Sequence, residues 1–166
     1  EKKKNIDGLI RAFNLLKEKY KIPHQLVLAG PRGYGYENPK SKIQNPKFRD
    51  DIIETGYLSE QEKWSLLKNA AVFVFPSFYE GFGLPILEAQ VAGVPLIASN
   101  ISSMPEVAGH GAILIDPKNI ESIASGIYKI ISDESLKNEL IEKGYENVKR
   151  FSWEKCAQET LKVLAE

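Results

Sequence analysis

Val72-Phe73-Val74-Phe75-Pro76-Ser77-Phe78-Tyr79-Glu80-Gly81-Phe82-Gly83-Leu84-Pro85-Ile86-Leu87-Glu88-Ala89 is the most informative stretch of this 166-residue sequence. Its first four residues are apolar and end at a proline, the pattern of a short buried strand. Pro85 is tolerated in a first helical turn, and Gly93 stands where a helix stops, so residues 84–92 are predicted as a short helix. A strand, a glycine-containing turn and a helix in that order form one half of a parallel βα unit.

The same alternation extends in both directions. Upstream, Ile6, Leu9, Ile10, Phe13, Leu16 and Tyr20 have helical spacing, with Asn5 as N-cap and Pro23 just beyond the end. Residues 25–29 read as a strand closed by Gly30, residues 30–50 as irregular loop, and residues 52–55 as a second strand before Gly56. Ser59 and Glu62 form a capping box that starts a helix to about residue 69. Downstream, residues 96–99 and 113–115 read as strands. Residues 120–131, 133–149 and 153–165 read as helices, the last with Trp153, Cys156, Ala157, Thr160, Leu161 and Leu164 on one stripe. These elements predict an α/β fold, a doubly wound parallel sheet covered on both faces, whose ligands bind beyond the C-terminal strand ends. Such folds usually open on a strand, so a strand preceding residue 1 is expected.

Composition narrows the function classes. Apolar residues make up 43% and charged residues 27%, which is ordinary for one globular domain. The 22 basic and 22 acidic side chains cancel, which argues against nucleic acid as a partner held by bulk charge. Residues 1–50 nevertheless hold twelve basic and five acidic side chains, an end able to attract an anion. The longest apolar run, 70–75, is far short of the ~20 residues of a membrane span. The single cysteine, Cys156, forms no intrachain disulfide and fits a reducing, cytoplasmic compartment. No cluster of His, Cys and Asp has metal-ligand spacing, so no metal and no cofactor are expected.

Gly81 and Gly83 leave backbone N–H groups unshielded at a helix N-terminus, a setting suited to phosphate. Glu88 lies among Ile86, Leu87, Ala89, Val91 and Ala92, so it is expected to be buried and in need of partners, for which ligand hydroxyls serve well. Glu80 can face the same crevice. Both acids also have a purely structural reading, in which Glu88 caps amides or pairs with a buried lysine and Glu80 is solvated loop.

The stretch 75–89 resembles the motif of retaining glycosyltransferases of the GT-B fold, family 4, in which two glutamates frame the donor-sugar site. Lys4-Asn5, Val27-Leu28-Ala29-Gly30-Pro31, Gly56-Tyr57-Leu58-Ser59, Ser102-Ser103-Met104-Pro105-Glu106-Val107-Ala108-Gly109 and Phe151-Ser152-Trp153 match the same family in the same order. The resemblance implies a Rossmann-like donor-binding domain over residues 1–166, the C-terminal half of a two-domain enzyme. It implies Glu80 at the transferred sugar as the catalytic residue. Lys4 falls to the donor diphosphate, and Gly81, Phe82, Gly83 and Leu84 to the loop whose amides reach sugar and phosphate. Glu88 falls to the ribose hydroxyls, Tyr57 and Leu58 to the base, and Gly30 to the donor-binding edge. The arginine that usually accompanies the lysine falls before residue 1, and His110 stands where relatives often carry Asp. The implied partners are a UDP- or GDP-linked sugar and a glycan or lipid-linked acceptor in surface polysaccharide synthesis, with mannose slightly favoured. The implied chemistry is metal-independent, and the parent enzyme is placed in the cytoplasm or at the inner membrane face.

Other signals are weaker. Gly33-Tyr34-Gly35 with Lys40-Ser41 lacks the Gly-Lys-Ser/Thr of a P-loop, and no GxGxxG is present. Cys156, Trp64 and Trp153 are expected to pack in the core and His24 to be structural. Two alternatives belong to other classes: a non-catalytic nucleotide-sugar-binding module, and a receiver-type signalling domain with Asp116 as its phosphorylatable residue.

Overall fold

The computed structural model of the protein describes residues 1–31 and 46–165. Most of the stretch read as irregular loop, including Gly33-Tyr34-Gly35 and Lys40-Ser41, lies outside the described residues.

Five short strands and seven α-helices stand among the described residues. The strands are β1 (Leu26–Ala29), β2 (Ile52–Gly56), β3 (Phe73–Phe75), β4 (Leu96–Ser99) and β5 (Ile113–Ile115). The α-helices are α1 (Ile6–Leu15), α2 (Glu60–Lys68), α3 (Leu84–Val91), α4 (Met104–Ala108), α5 (Ile120–Ser132), α6 (Glu134–Val148) and α7 (Trp153–Ala165). Every strand pair is parallel, β1 with β2 and β4 between β3 and β5. Parallel neighbours need crossovers, which α3 provides between β3 and β4 and α4 between β4 and β5.

Strand β4 shows how the layers form. All four of its residues are buried, and successive side chains point to opposite faces. Ile97 joins a core with Ile10 and Phe13 of α1 and Ile123 and Ile127 of α5. Leu96 and Ala98 join a second core with Ile86 and Ala89 of α3 and Met104 and Val107 of α4. Helices therefore cover both faces, and the fold is the expected doubly wound α/β arrangement. Each fully buried Leu or Ile contributes roughly 1.5–3 kcal/mol.

Several details depart from the sequence expectation. The described strands form two hydrogen-bonded ladders, β1–β2 and β3–β4–β5, rather than one. Helix α1 continues as a π-helical stretch over Leu16–Tyr20 and stops at Lys21, whose φ of 53° is left-handed. The five-residue α4 was not anticipated, being too short to show a period. Helix α7 forms where expected but buries none of its side chains. Trp153 is 76% exposed and Cys156 is exposed, so neither is core. Spacing identifies an apolar stripe, but burial needs an opposing surface, and among the described residues none covers this one. Trp64 does pack, against the α3–α4 core.

Candidate functional site

The site begins with the turn ahead of α1. Residues Lys2–Lys4 form one turn of 3₁₀ helix, ended by Asn5 at a left-handed φ of 55°. The Asn5 side chain accepts from Gly8 N–H at 3.2 Å and donates to the Pro117 carbonyl at 2.7 Å. It therefore caps α1 and ties the turn to the β5–α5 loop. The Lys3 carbonyl accepts from Phe78 N–H at 2.7 Å, docking the same turn onto the loop after β3. Lys4 is thereby delivered to Glu80: its Nζ donates to Glu80 Oε1 at 2.7 Å and lies 5.2 Å from the centre of the Phe75 ring.

The Glu80 side chain is 11% exposed. Burial pushes its carboxyl pKa up, but the hydrogen bond from Lys4, the nearby Ser77 hydroxyl and the charges of Lys4 and Lys3 outweigh that effect and hold it below the ordinary value. Glu80 is thus an anion beside a cation, available to bind hydroxyls and not to donate a proton at neutral pH.

Between Glu80 and α3 the backbone is exposed at Gly81 and Phe82, while Gly83 is buried. A Cβ on Gly81 would meet nothing within 4 Å. Gly83 has φ 110°, which L side chains rarely adopt, and it precedes α3 with no side-chain cap. The N–H groups of Gly81, Phe82 and Gly83 have no acceptor among the described residues. The carbonyls of Glu80 and Phe82, by contrast, accept from the hydroxyls of Ser102 and Ser103. Carbonyls tied back and amides bare at a helix N-terminus make a surface for a negatively charged group. Phe82 is partly exposed, its ring edge-on to Phe151 at 5.8 Å, and Leu84 is half exposed.

Glu88 departs from its expected burial. Its side chain is 34% exposed, and Oε1 accepts from Lys63 Nζ of α2 at 3.0 Å. Lys63 also holds Glu60 at 2.9 Å. The hydrogen bond to Glu60, then that to Glu88, raises the Lys63 pKa above its ordinary value. The structural alternative of a lysine partner for Glu88 therefore describes its contact, although that lysine is not buried. Helix α3 is not enclosed all round because Leu84 and Val91 face outward.

The remaining expected residues lie at the same ends of neighbouring strands. Gly30 closes β1 with a left-handed φ of 126° and donates its N–H to the Gly56 carbonyl at 3.0 Å. Tyr57 follows β2 and is 81% exposed, and Leu58 is half-buried. The structure thus joins Lys4 to Glu80 directly and sets Glu88 against α2, with Gly30, Tyr57 and Leu58 along the strand ends. His110 is exposed. Asp116, on which a receiver-type domain would depend, accepts from Lys118 N–H at 2.9 Å.

Three residues had no assigned role in the sequence. Lys63 has no reading there, since nothing local points 25 positions ahead to Glu88. Ser102 and Ser103 belong to a matching segment, but only the fold brings their hydroxyls to Glu80.

Comparison with known proteins gives the family and the fold. The model of the family described as "Glycosyl transferases group 1" matches residues 1–147. O-antigen chain mannosyltransferase B of Escherichia coli is 37% identical over 161 residues, covering 97% of this chain and 42% of that protein. The C-terminal domain of the glycosyl transferase group 1 family protein LpcC from Francisella tularensis matches with a TM-score of 0.76 at 26% identity, over 90% of this chain and 80% of that one. HepE from Anabaena, solved in complex with UDP, shares the fold with a TM-score of 0.83 at 19% identity, over 99% of this chain and 46% of that one. The chain spans less than half the length of the curated relatives it matches.

Proposed function

Since the chain belongs to the glycosyl transferases group 1 family, we propose that it is the donor-binding domain of a retaining glycosyltransferase that moves a hexose from a nucleoside diphosphate sugar to a glycan or lipid-linked acceptor. The observation that carries this reading is the Lys4–Glu80 pair at 2.7 Å beside a turn whose amides lack acceptors among the described residues. The donor diphosphate lies against Lys4, the Gly81–Gly83 amides and the start of α3. As the sugar–phosphate bond breaks, negative charge develops on the leaving diphosphate, and a cation with preorganised dipoles stabilises it. No metal ion is needed for that role. Glu80 stays ionised and accepts from hydroxyls of the transferred sugar, fixing it over the reacting carbon. Glu88 accepts from the ribose hydroxyls, while Tyr57 and Leu58 lie against the base.

Mannose is the sugar we favour, because the E. coli relative is named a mannosyltransferase of the O-antigen chain. We place the acceptor on a second domain and the parent enzyme in surface polysaccharide synthesis at the cytoplasmic side. No helix among the described residues is long and apolar enough to cross a membrane.

Calorimetric titration of the 166-residue chain with UDP, GDP, ADP and their hexose conjugates, with and without EDTA, tests the proposal. Saturable binding that survives EDTA and is lost in Glu88→Ala is expected. Failure of every nucleotide to bind, or binding untouched by Glu88→Ala, would sink it.

A further inference from the structure

Ser102 and Ser103, between β4 and α4, break local rules at two successive positions. Ser102 is not a glycine, yet its φ is 58°, a left-handed conformation that costs a non-glycine residue stability. Ser103 is the N-cap of α4, where a serine hydroxyl normally accepts from an amide of its own helix, yet it makes no such bond. Both hydroxyls are directed instead at one target 21 to 23 positions earlier. Ser102 Oγ donates to the Glu80 carbonyl at 2.7 Å and accepts from Glu80 N–H at 3.4 Å. Ser103 Oγ lies 2.9 Å from the Glu80 carbonyl and 2.7 Å from the Phe82 carbonyl, sharing its single proton between them.

Departures from local preference that converge on one segment mark a functional constraint. Here the segment is the turn whose amides lack acceptors among the described residues. A peptide plane carries its carbonyl and the next N–H on opposite sides. Fixing the Glu80 carbonyl therefore orients the Gly81 N–H, and fixing the Phe82 carbonyl orients the Gly83 N–H. Gly81 and Gly83 are themselves backbone positions that a less constrained turn would leave free to rotate.

We infer that Ser102 and Ser103 are positioning residues for the donor diphosphate, clamping the carbonyls of Glu80 and Phe82 so that the N–H groups of the same peptide planes, those of Gly81 and Gly83, are held in place for the anion. They act through the turn and need not touch the donor. This inference rests on the donor-binding reading above.

The test uses the full 166-residue chain, with UDP, GDP and ADP as probes in calorimetry and thermal melting measured in parallel. Ser103→Ala is expected to weaken nucleoside diphosphate binding about tenfold, the scale of one or two lost hydrogen bonds. Ser103→Thr, which keeps the hydroxyl, restores affinity to within about twofold of the unmodified chain. Ser102→Gly accepts the left-handed backbone without strain while deleting the hydroxyl, so it weakens binding without lowering the melting temperature. A role confined to stability would move the two together. Affinities of Ser103→Ala and Ser102→Gly within twofold of the unmodified chain, or losses that only track a falling melting temperature, overturn this inference alone. Absence of binding by the unmodified chain overturns the donor-binding reading and this inference with it.

Discussion

Lys4 Nζ meets Glu80 Oε1 at 2.7 Å across 76 positions of sequence. With Lys4 about one-third exposed, the pair is screened on one side, so its net contribution to folding is about 1 kcal/mol or less. Lys4→Met keeps the apolar stem and removes the charge. It should shift the melting temperature by only a few degrees while weakening UDP or GDP binding about tenfold or more, as expected for loss of a charge-assisted contact. Glu80→Gln should leave nucleoside diphosphate affinity within about threefold and weaken the sugar conjugates selectively. Calorimetry on both ligand types measures the split; equal losses for the two ligands in Glu80→Gln would remove Glu80 from the sugar.

The same pair sets a pH dependence. The Glu80 carboxyl is held below its ordinary value near 4.5 in the folded protein. A depressed folded pKa gives stability that is present above the unfolded value and is lost as pH falls through the folded one. Melting temperature should therefore decline on acidification below about pH 4.5, and the Glu80→Gln decline should be shallower there. Scanning calorimetry from neutral pH to about pH 3 compares the slopes; identical slopes would show that Glu80 does not titrate as described.

Glu88 offers a test between its ligand role and its ion pair. Its contact with Lys63 is partly exposed and worth at most about 1 kcal/mol. Lys63→Met should leave nucleotide affinity within about threefold, whereas Glu88→Ala should reduce it about tenfold or more. If the two variants behave alike, the carboxylate serves the lysine rather than the ribose.

The two turn glycines should respond in opposite ways. At Gly83, φ is 110° and an added Cβ would come within 3.2 Å of Ile86 Cδ1, so Gly83→Ala should cost roughly 1–3 kcal/mol. Gly81→Ala points its methyl into open space and should leave stability unchanged. If the proposed donor site is right, that methyl stands in the path of the diphosphate, so Gly81→Ala should weaken diphosphate binding. Denaturant unfolding and calorimetry on both variants separate these effects.

Helix α3 is anchored from behind by a buried polar network. Asn147 Nδ2 donates to Gln90 Oε1 and to the Val107 carbonyl, both at 2.8 Å, and Gln90 Nε2 donates to the Ala108 carbonyl at 2.9 Å. Asn147→Ala strands two buried acceptors and should destabilise the fold by roughly 2–4 kcal/mol. Urea unfolding gives the value; a loss under about 0.5 kcal/mol would mean that water replaces the amide.

Local signals made the secondary elements legible. The apolar run of β3, the capping box of α2 and the Pro85–Gly93 frame of α3 each lie within a few residues of the structure they specify. The presence of Glu80, the glycine turn and Glu88 was readable for the same reason. Partners were not readable, because Lys4–Glu80, Lys63–Glu88 and Ser103–Glu80 join residues that only tertiary packing brings together. Cys156 and Trp153 show the converse: their stripe was readable, but its exposure depends on what lies opposite.

The distance in sequence between Lys4 and Glu80 bears on how the protein acquires its affinity during refolding. Closing so long a loop is entropically costly, and such contacts reward the chain only late. Secondary structure around the glycine turn can therefore form well before the lysine arrives, and recovered circular dichroism would overstate recovered ligand capture. A rapid-mixing experiment that follows both signals would time the arrival of the N-terminal turn as a separate event.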